Sequence, residues 1–165
     1  MNENILVRLF EHNNWANQRL LQACSTLTEE QLDAEPRSVT KGSLRLTLTH
    51  LVSAQRGYLA LLTLPVDQRP SGPVEFSSLA ESARVSGSGL VDFVRSILDG
   101  APQERRKTRD NYLVEPWVVL LQVLNHAGEH REQICSMLSA LGIQPPDLDG
   151  WSYGSIMQAF TPMAG

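Results

Sequence analysis

Residues 116–141 read PWVVLLQVLNHAGEHREQICSMLSAL, and this stretch decides the class of fold. Its apolar residues recur with the 3.6-residue period of an amphipathic helix. Pro116 suits the first position of a helix, and Gly142, with two prolines shortly after it, predicts the end. We therefore predict one long helix from Pro116 to about Leu141.

Three other long segments share this helical period. The first carries its apolar stripe from Ile5 to Leu27. The second begins with Ser43 as N-cap, and the third begins at Ser78 in a capping-box pattern. The stretch 86–89, SGSG, is poor helix material, so we expect the third of these helices to bend or break there.

The connecting segments are short or rich in turn residues. Residues 28–31 resemble a capping box at the start of a short helical turn, and residues 65–73 form a proline-rich loop. Residues 108–114 permit a short extended stretch, and residues 151–160 predict a short C-terminal packing helix. The sequence thus predicts an all-α four-helix bundle with a short C-terminal helix.

Composition limits the functional classes. The chain has 165 residues and a mass of 18.3 kDa, which predicts one domain over residues 1–165. A net charge of −4 argues against a general nucleic-acid binder, and no apolar run approaches the ~20 residues that cross a bilayer. The N-terminal residues carry no secretory pattern, and Cys24 and Cys135 are too few for a disulfide framework. We expect a cytoplasmic protein with no membrane partner.

Histidine is the residue that points to chemistry, because the chain has four: His12, His50, His126 and His130. His126 and His130 lie one turn apart on the long helix, offset by about 40°. Both are predicted to face the bundle interior, where one metal ion could satisfy two buried imidazoles. Periodicity leaves the third ligand open between His50 and His12.

Other interpretations of these residues remain open. The histidine pair could instead be core residues with ordinary hydrogen bonds, and Asn13 could either orient a ligand ring or bond a neighbouring helix. His126 to His130 matches the protease string H-x-x-E-H, but periodicity places Glu129 on the polar side. The basic residues 105–109 form either a solvated loop or a receptor for an anionic substrate or cofactor.

The motifs together resemble a known family. HNNWANQRLL at residues 12–21, LTHL at 48–51 and LNHAGEHREQI at 124–134 are similar to the corresponding helices of DinB-like (damage-inducible) proteins. The similarity covers nearly the whole chain and keeps three histidines in order. Two positions depart from the pattern: Glu132, where the family often has glycine, and Gln55, where an acidic residue is common.

The resemblance carries expectations about fold and function. It implies an up-down-down-up bundle, often a homodimer, with a divalent ion, zinc or nickel, on His50, His126 and His130. It also implies relatives that act as thiol S-transferases with a low-molecular-weight thiol, so we expect a small-molecule substrate. No catalytic base is evident in the sequence.

Three functional hypotheses follow from these observations. The first is a metalloenzyme, either a thiol transferase that activates a thiolate or a metal-dependent hydrolase. The second is a non-enzymatic metal- or ligand-binding stress protein on the same scaffold. The third is a metal-free helical interaction protein.

Overall fold

Helices dominate the part of the chain that the computed structural model describes, residues 4–36 and 42–163. The helices there are α1 (Ile5–Cys24), α2 (Glu29–Asp33), α3 (Leu44–Thr63), α4 (Leu79–Leu98), α5 (Pro116–Ala140) and α6 (Gly150–Ile156). The prediction of an all-α fold with a short C-terminal helix is confirmed. Residues 1–3, on which the absence of a secretory pattern partly depends, lie outside the described residues.

The core divides into two apolar clusters, which we call the first and second cores. Each of the four long helices contributes to both. The first core contains Leu20, Leu48, Ala83, Ile134 and their neighbours. The second core contains Phe10, Leu62, Leu90, Val123 and their neighbours.

The order in which each helix meets the two cores gives the topology. α1 and α5 run from the second core to the first, whereas α3 and α4 run from the first to the second. α1 packs against α4, α4 against α3, and α3 against α5. The bundle is therefore up-down-down-up, as the resemblance implied, with the long connection joining the parallel helices α3 and α4.

Polar side chains, most of them buried, form a hydrogen-bonded group near the junction of the two cores, and we call it the polar layer. It consists of Asn13 and Asn17 from α1, Gln55 from α3, Ser86 from α4 and Arg131 from α5. Asn17 Nδ2 donates to Gln55 Oε1 at 2.7 Å, and Gln55 Nε2 donates to Ser86 Oγ at 2.8 Å. Hydrogen bonds thus link all four long helices across the middle of the bundle.

Most helix ends were predicted correctly from local sequence patterns. Thr28 and Gln31 form the capping box, and Ser43 Oγ accepts from the N–H of Leu46. Pro116 begins α5, and Gly142 follows its end with a φ of +73°, where glycine has no steric penalty.

The start of α4 at Ser78 was predicted correctly, whereas the capping box and the break at the glycines were not. Ser78 precedes the helix but its side chain makes no capping hydrogen bond, because a 3₁₀ turn over Phe76–Ser78 leads directly into it. The helix is also continuous through Gly87 and Gly89. A Cβ on Gly87 would lie 2.0 Å from Asn14 Oδ1, and one on Gly89 would lie 2.6 Å from Leu59 Cδ2. These glycines permit close helix packing and do not break the helix.

The extended stretch expected between α4 and α5 is a short hairpin. β1 (Arg106–Lys107) pairs antiparallel with β2 (Leu113–Val114). The hairpin lies against α3. Among the described residues, no helix combines the length and apolarity needed to span a bilayer.

Candidate metal centre

Three histidines from two helices meet at one point on the bundle. α3 supplies His50, and α5 supplies His126 and His130. The Nε2 atom of His126 lies 3.1 Å from Nε2 of His50 and 3.1 Å from Nε2 of His130. All three ligand atoms lie within 4.8 Å of one another.

This spacing fits ligands of one ion better than hydrogen bonds. A neutral imidazole nitrogen is either a donor or an acceptor, so His126 Nε2 has one proton or one lone pair to share between two contacts. Two nitrogens about 2.1 Å from one ion lie about 3.0 Å apart at a right angle and about 3.4 Å apart at the tetrahedral angle. The observed 3.1 Å falls between these values. The cluster is therefore compatible with metal binding.

Gln133 fixes the protonation of one ring. Nδ1 of His130 lies 2.6 Å from Oε1 of Gln133, an amide oxygen that only accepts. Nδ1 must then carry the proton, and Nε2 presents its lone pair to the other two histidines. Sequence analysis missed this role, although an acceptor three residues after a ligand on a helix is a recognisable signal.

Burial and neighbouring charge favour the uncharged form of two of the rings, His50 and His126. Burial, followed by the nearby charges of His130 and His50, lowers the pKa of His126 to about 4. Burial and the charge of His130 also lower the pKa of His50. Neutral rings with free lone pairs are the form that binds metal ions.

The histidines lie at the edge of the interior, which corrects the prediction that they point into it. His126 and His130 are half-buried and His50 is exposed. The buried residues of α5 centre about 75° from His126, so His126 borders the buried face. A site at this position is open to solvent and to small molecules.

Two residues considered for this site lie elsewhere. His12, the other candidate for the third ligand, donates from Nε2 to the carbonyl of Leu148 at 2.8 Å and packs beside Tyr153. Asn13 accepts from Arg131 Nη1 at 2.7 Å, so it bonds a neighbouring helix and does not orient a ligand ring.

The protease interpretation fails on geometry. Glu129 is exposed, as periodicity predicted, and does not belong to the histidine cluster. Cys135 is also outside the cluster, in agreement with its predicted position on α5. Burial raises the pKa of Cys24 to about 12, which is typical of an unreactive core thiol.

A cavity of about 400 Å³ opens beside the histidines. His50 and His126 line it together with the α3 residues Ala54, Gly57, Tyr58, Ala60 and Leu61. The Tyr58 ring meets the His126 ring edge-on, with centroids 5.7 Å apart. Arg69, Pro70, Thr108 and Arg109 complete the lining.

The basic residues 105–109 were predicted to form either a solvated loop or a receptor for an anion, and two of their arginines behave differently. Arg109 lines the cavity, whereas Arg105 is exposed and pairs with Glu115 at 2.5 Å. No sequence pattern indicated that Arg69 would also line the cavity, because it comes from the distant loop after α3. Beside this cavity, the three histidine nitrogens would leave coordination positions open on a bound ion, as is typical of catalytic metal sites.

Comparison with known proteins agrees with the fold. The sequence model of the DinB family matches residues 1–158. A solved structure of a putative DinB-family member from Exiguobacterium sibiricum 255-15 is 19% identical, with a TM-score of 0.67 over 90% of this chain and 100% of that chain. A DinB-like protein from Bacillus cereus ATCC 10987 is 18% identical, with a TM-score of 0.63 over 86% and 94%. No curated protein matches the chain.

Proposed function

The chain belongs to the DinB family, and on that premise we propose that His50, His126 and His130 hold a divalent ion, zinc or nickel, for thiol-dependent transfer. In this proposal the protein is a thiol S-transferase whose co-substrate is a low-molecular-weight thiol. The second substrate is a small electrophile that enters the adjacent cavity.

One observation carries the proposal: three imidazole nitrogens converge without protons that could satisfy all of their contacts. The arrangement is maintained by the protein itself, since Gln133 holds the His130 tautomer. Lowered pKa values keep His50 and His126 neutral at pH 7. Each feature prepares a lone pair for a cation.

A bound divalent ion would lower the pKa of a coordinated thiol and so supply a thiolate at neutral pH. The residues of the chain would then position the reactants. The α3 side of the cavity, which includes Ala54 and Leu61, offers an apolar surface beside the histidines, and Tyr58 packs against the His126 ring.

The lining of the cavity favours thiol transfer over hydrolysis. No aspartate or glutamate belongs to the described residues that line it. A hydrolase would gain from a carboxylate base near the attacking water, whereas a coordinated thiolate needs no further base. Metal-dependent hydrolysis and non-catalytic metal binding are the alternatives that the experiment separates.

Metal content by elemental mass spectrometry tests the site. We expect about one ion per chain in untagged protein, loss of the ion in His126→Ala, and its retention in His12→Ala. The His12 variant is the matched control because its ring bonds Leu148 and lies outside the cluster. Circular dichroism should show the same helix content in all three proteins.

Thiol consumption then tests the activity. Metal-loaded protein should accelerate the reaction of a small thiol with an alkylating electrophile, and His126→Ala should not. Ester hydrolysis without thiol consumption would indicate a hydrolase, and a bound ion without either activity would indicate a binding protein. Absence of metal after incubation with zinc and nickel would overturn the proposal.

A further inference from the structure

Two arginines from different segments face the same cavity as the histidines. Arg69 comes from the loop after α3, and Arg109 comes from the turn between β1 and β2. Thr108 lies beside them in the cavity lining. The fold therefore places two cationic groups in the cavity that two metal-ligand candidates, His50 and His126, also line.

Backbone carbonyls hold both guanidinium groups in place. Arg69 donates from Nε to the carbonyl of Leu64 at 3.0 Å and from Nη1 to that of Lys107 at 2.7 Å. Arg109 donates from Nη2 to the carbonyls of Arg69 and Pro70 at 2.9 and 3.0 Å. A guanidinium has five N–H donors, so each group keeps three beyond these bonds.

Neither charge is neutralised by a carboxylate in the part of the chain that the structure describes. Among residues 4–36 and 42–163, no carboxylate pairs with Arg69 or Arg109. Arg106 adds to the positive charge nearby, and its buried Nε has no hydrogen-bond partner in this part of the chain. Burial, followed by the charges of Arg109 and Arg106, lowers the pKa of Arg69. An anion would relieve this repulsion.

The α3 side of the cavity leaves room for an occupant. Gly57 lines it, and a Cβ added there would meet no atom within 4 Å. Ala54 and Ala60 are also small. Of the five α3 residues other than His50 that line the cavity, three are thus small, and Tyr58 and Leu61 are the two bulky ones.

We infer that this site takes substrates that carry an oxyanion group, such as a carboxylate, which Arg69 and Arg109 bind while the reactive end reaches the histidines. The inference rests on the proposed function, because it names the substrate class of the same site. Arginine suits this role since its fixed fork of donors matches the two oxygens of a carboxylate.

A matched pair of small molecules tests the inference without metal. Benzoate and benzamide have the same shape and differ in charge, and both fit an apolar cavity of this volume. NMR titration of the full ¹⁵N-labelled chain, as purified and after chelation, should show that benzoate shifts the Nε–H signals of Arg69 and Arg109. We expect benzamide to bind at least about tenfold more weakly.

Three variants localise the binding. Arg109→Met should weaken benzoate binding about tenfold or more, whereas Arg105→Met should leave it unchanged. Arg105 is the matched control, because it lies on the same segment but pairs with Glu115 outside the cavity. Gly57→Leu should weaken benzoate binding, since its side chain would extend into open space where Gly57 lines the cavity.

The outcomes separate this inference from the proposed function. Equal binding of the two probes, unchanged affinity in Arg109→Met, or no saturable benzoate binding at millimolar concentration would overturn the inference and leave the metal site standing. Selective benzoate binding by a protein that takes up no metal would support the anion site and reject the proposed chemistry.

Discussion

Replacing Arg131 by methionine tests whether the polar layer stabilises the bundle. Arg131 Nη1 donates to Asn13 Oδ1 at 2.7 Å and to Asn17 Oδ1 at 2.8 Å. The two asparagines are 3% and 1% exposed, so water cannot replace the lost donor. Asn17 cannot simply turn its amide, because its Nδ2 donates to Gln55.

The magnitude follows from these contacts. Each buried acceptor left without a donor costs about 1–3 kcal/mol. Methionine relieves the desolvation of the buried guanidinium, which offsets part of that cost. We expect Arg131→Met to lower the free energy of unfolding by about 2–3 kcal/mol.

Urea unfolding followed by circular dichroism measures this loss. The protein is kept at pH 7 with a chelator, so that bound metal adds no stability. Arg19→Met is the matched control, because Arg19 is exposed on α1, and its effect should stay within about 0.5 kcal/mol. If Arg131→Met were as stable as the wild type or more stable, the relief of desolvation would offset the lost hydrogen bonds completely, and the polar layer would not stabilise the bundle.

Three further predictions concern packing, pH and thiol reactivity. Gly87→Ala should lower the free energy of unfolding by about 1–3 kcal/mol, because the added methyl would clash with Asn14. Gly57→Ala should raise it by up to about 1 kcal/mol, because nothing lies near the added methyl. Changes of the same sign in the two variants would contradict the packing argument. The pKa of His126 is about 4 in the folded protein and 6.5 when unperturbed, so the unfolded chain binds more protons between these values. In metal-free protein, the contribution of His126 to the free energy of unfolding should therefore be complete above pH 6.5. It should fall by on the order of 1 kcal/mol towards pH 4, after allowance for solvent screening. A His126→Gln variant whose free energy of unfolding depends on pH with the same slope would argue against this cause. With its pKa raised to about 12, Cys24 should resist iodoacetamide at pH 8 in the native protein and react in urea, as mass spectrometry would show; rapid native labelling would contradict its burial.

Helix ends were predictable because their signals are local. The Thr28 capping box, the Ser43 cap and Pro116 at the start of α5 each involve residues within one turn. The interpretation of Gly87 failed for the opposite reason. Its low helix propensity is visible in the sequence, but the Asn14 side chain that needs the space comes from another helix.

The residues of the candidate site were likewise predictable only in part. Helical spacing identified His126 and His130, and the family resemblance was needed to choose His50 over His12. Arg69 and Arg109 were not predictable as a pair, since 40 residues separate them and their meeting depends on how the hairpin packs against α3. Periodicity predicted which face of α5 carries the histidines. It could not predict how deeply they are buried, because that depends on how α5 packs against the neighbouring helices.

The polar layer has a consequence for the candidate metal centre. A helix that slid by one turn, about 5.4 Å, would separate the hydrogen-bonding partners of this layer and leave its polar groups unsatisfied. The layer therefore fixes the axial alignment of the four long helices. Because His50 belongs to α3 and His126 to α5, their 3.1 Å separation depends on that alignment. Gln55 and Arg131, neither of which belongs to the histidine cluster, thus help to set the axial position of His50 relative to His126.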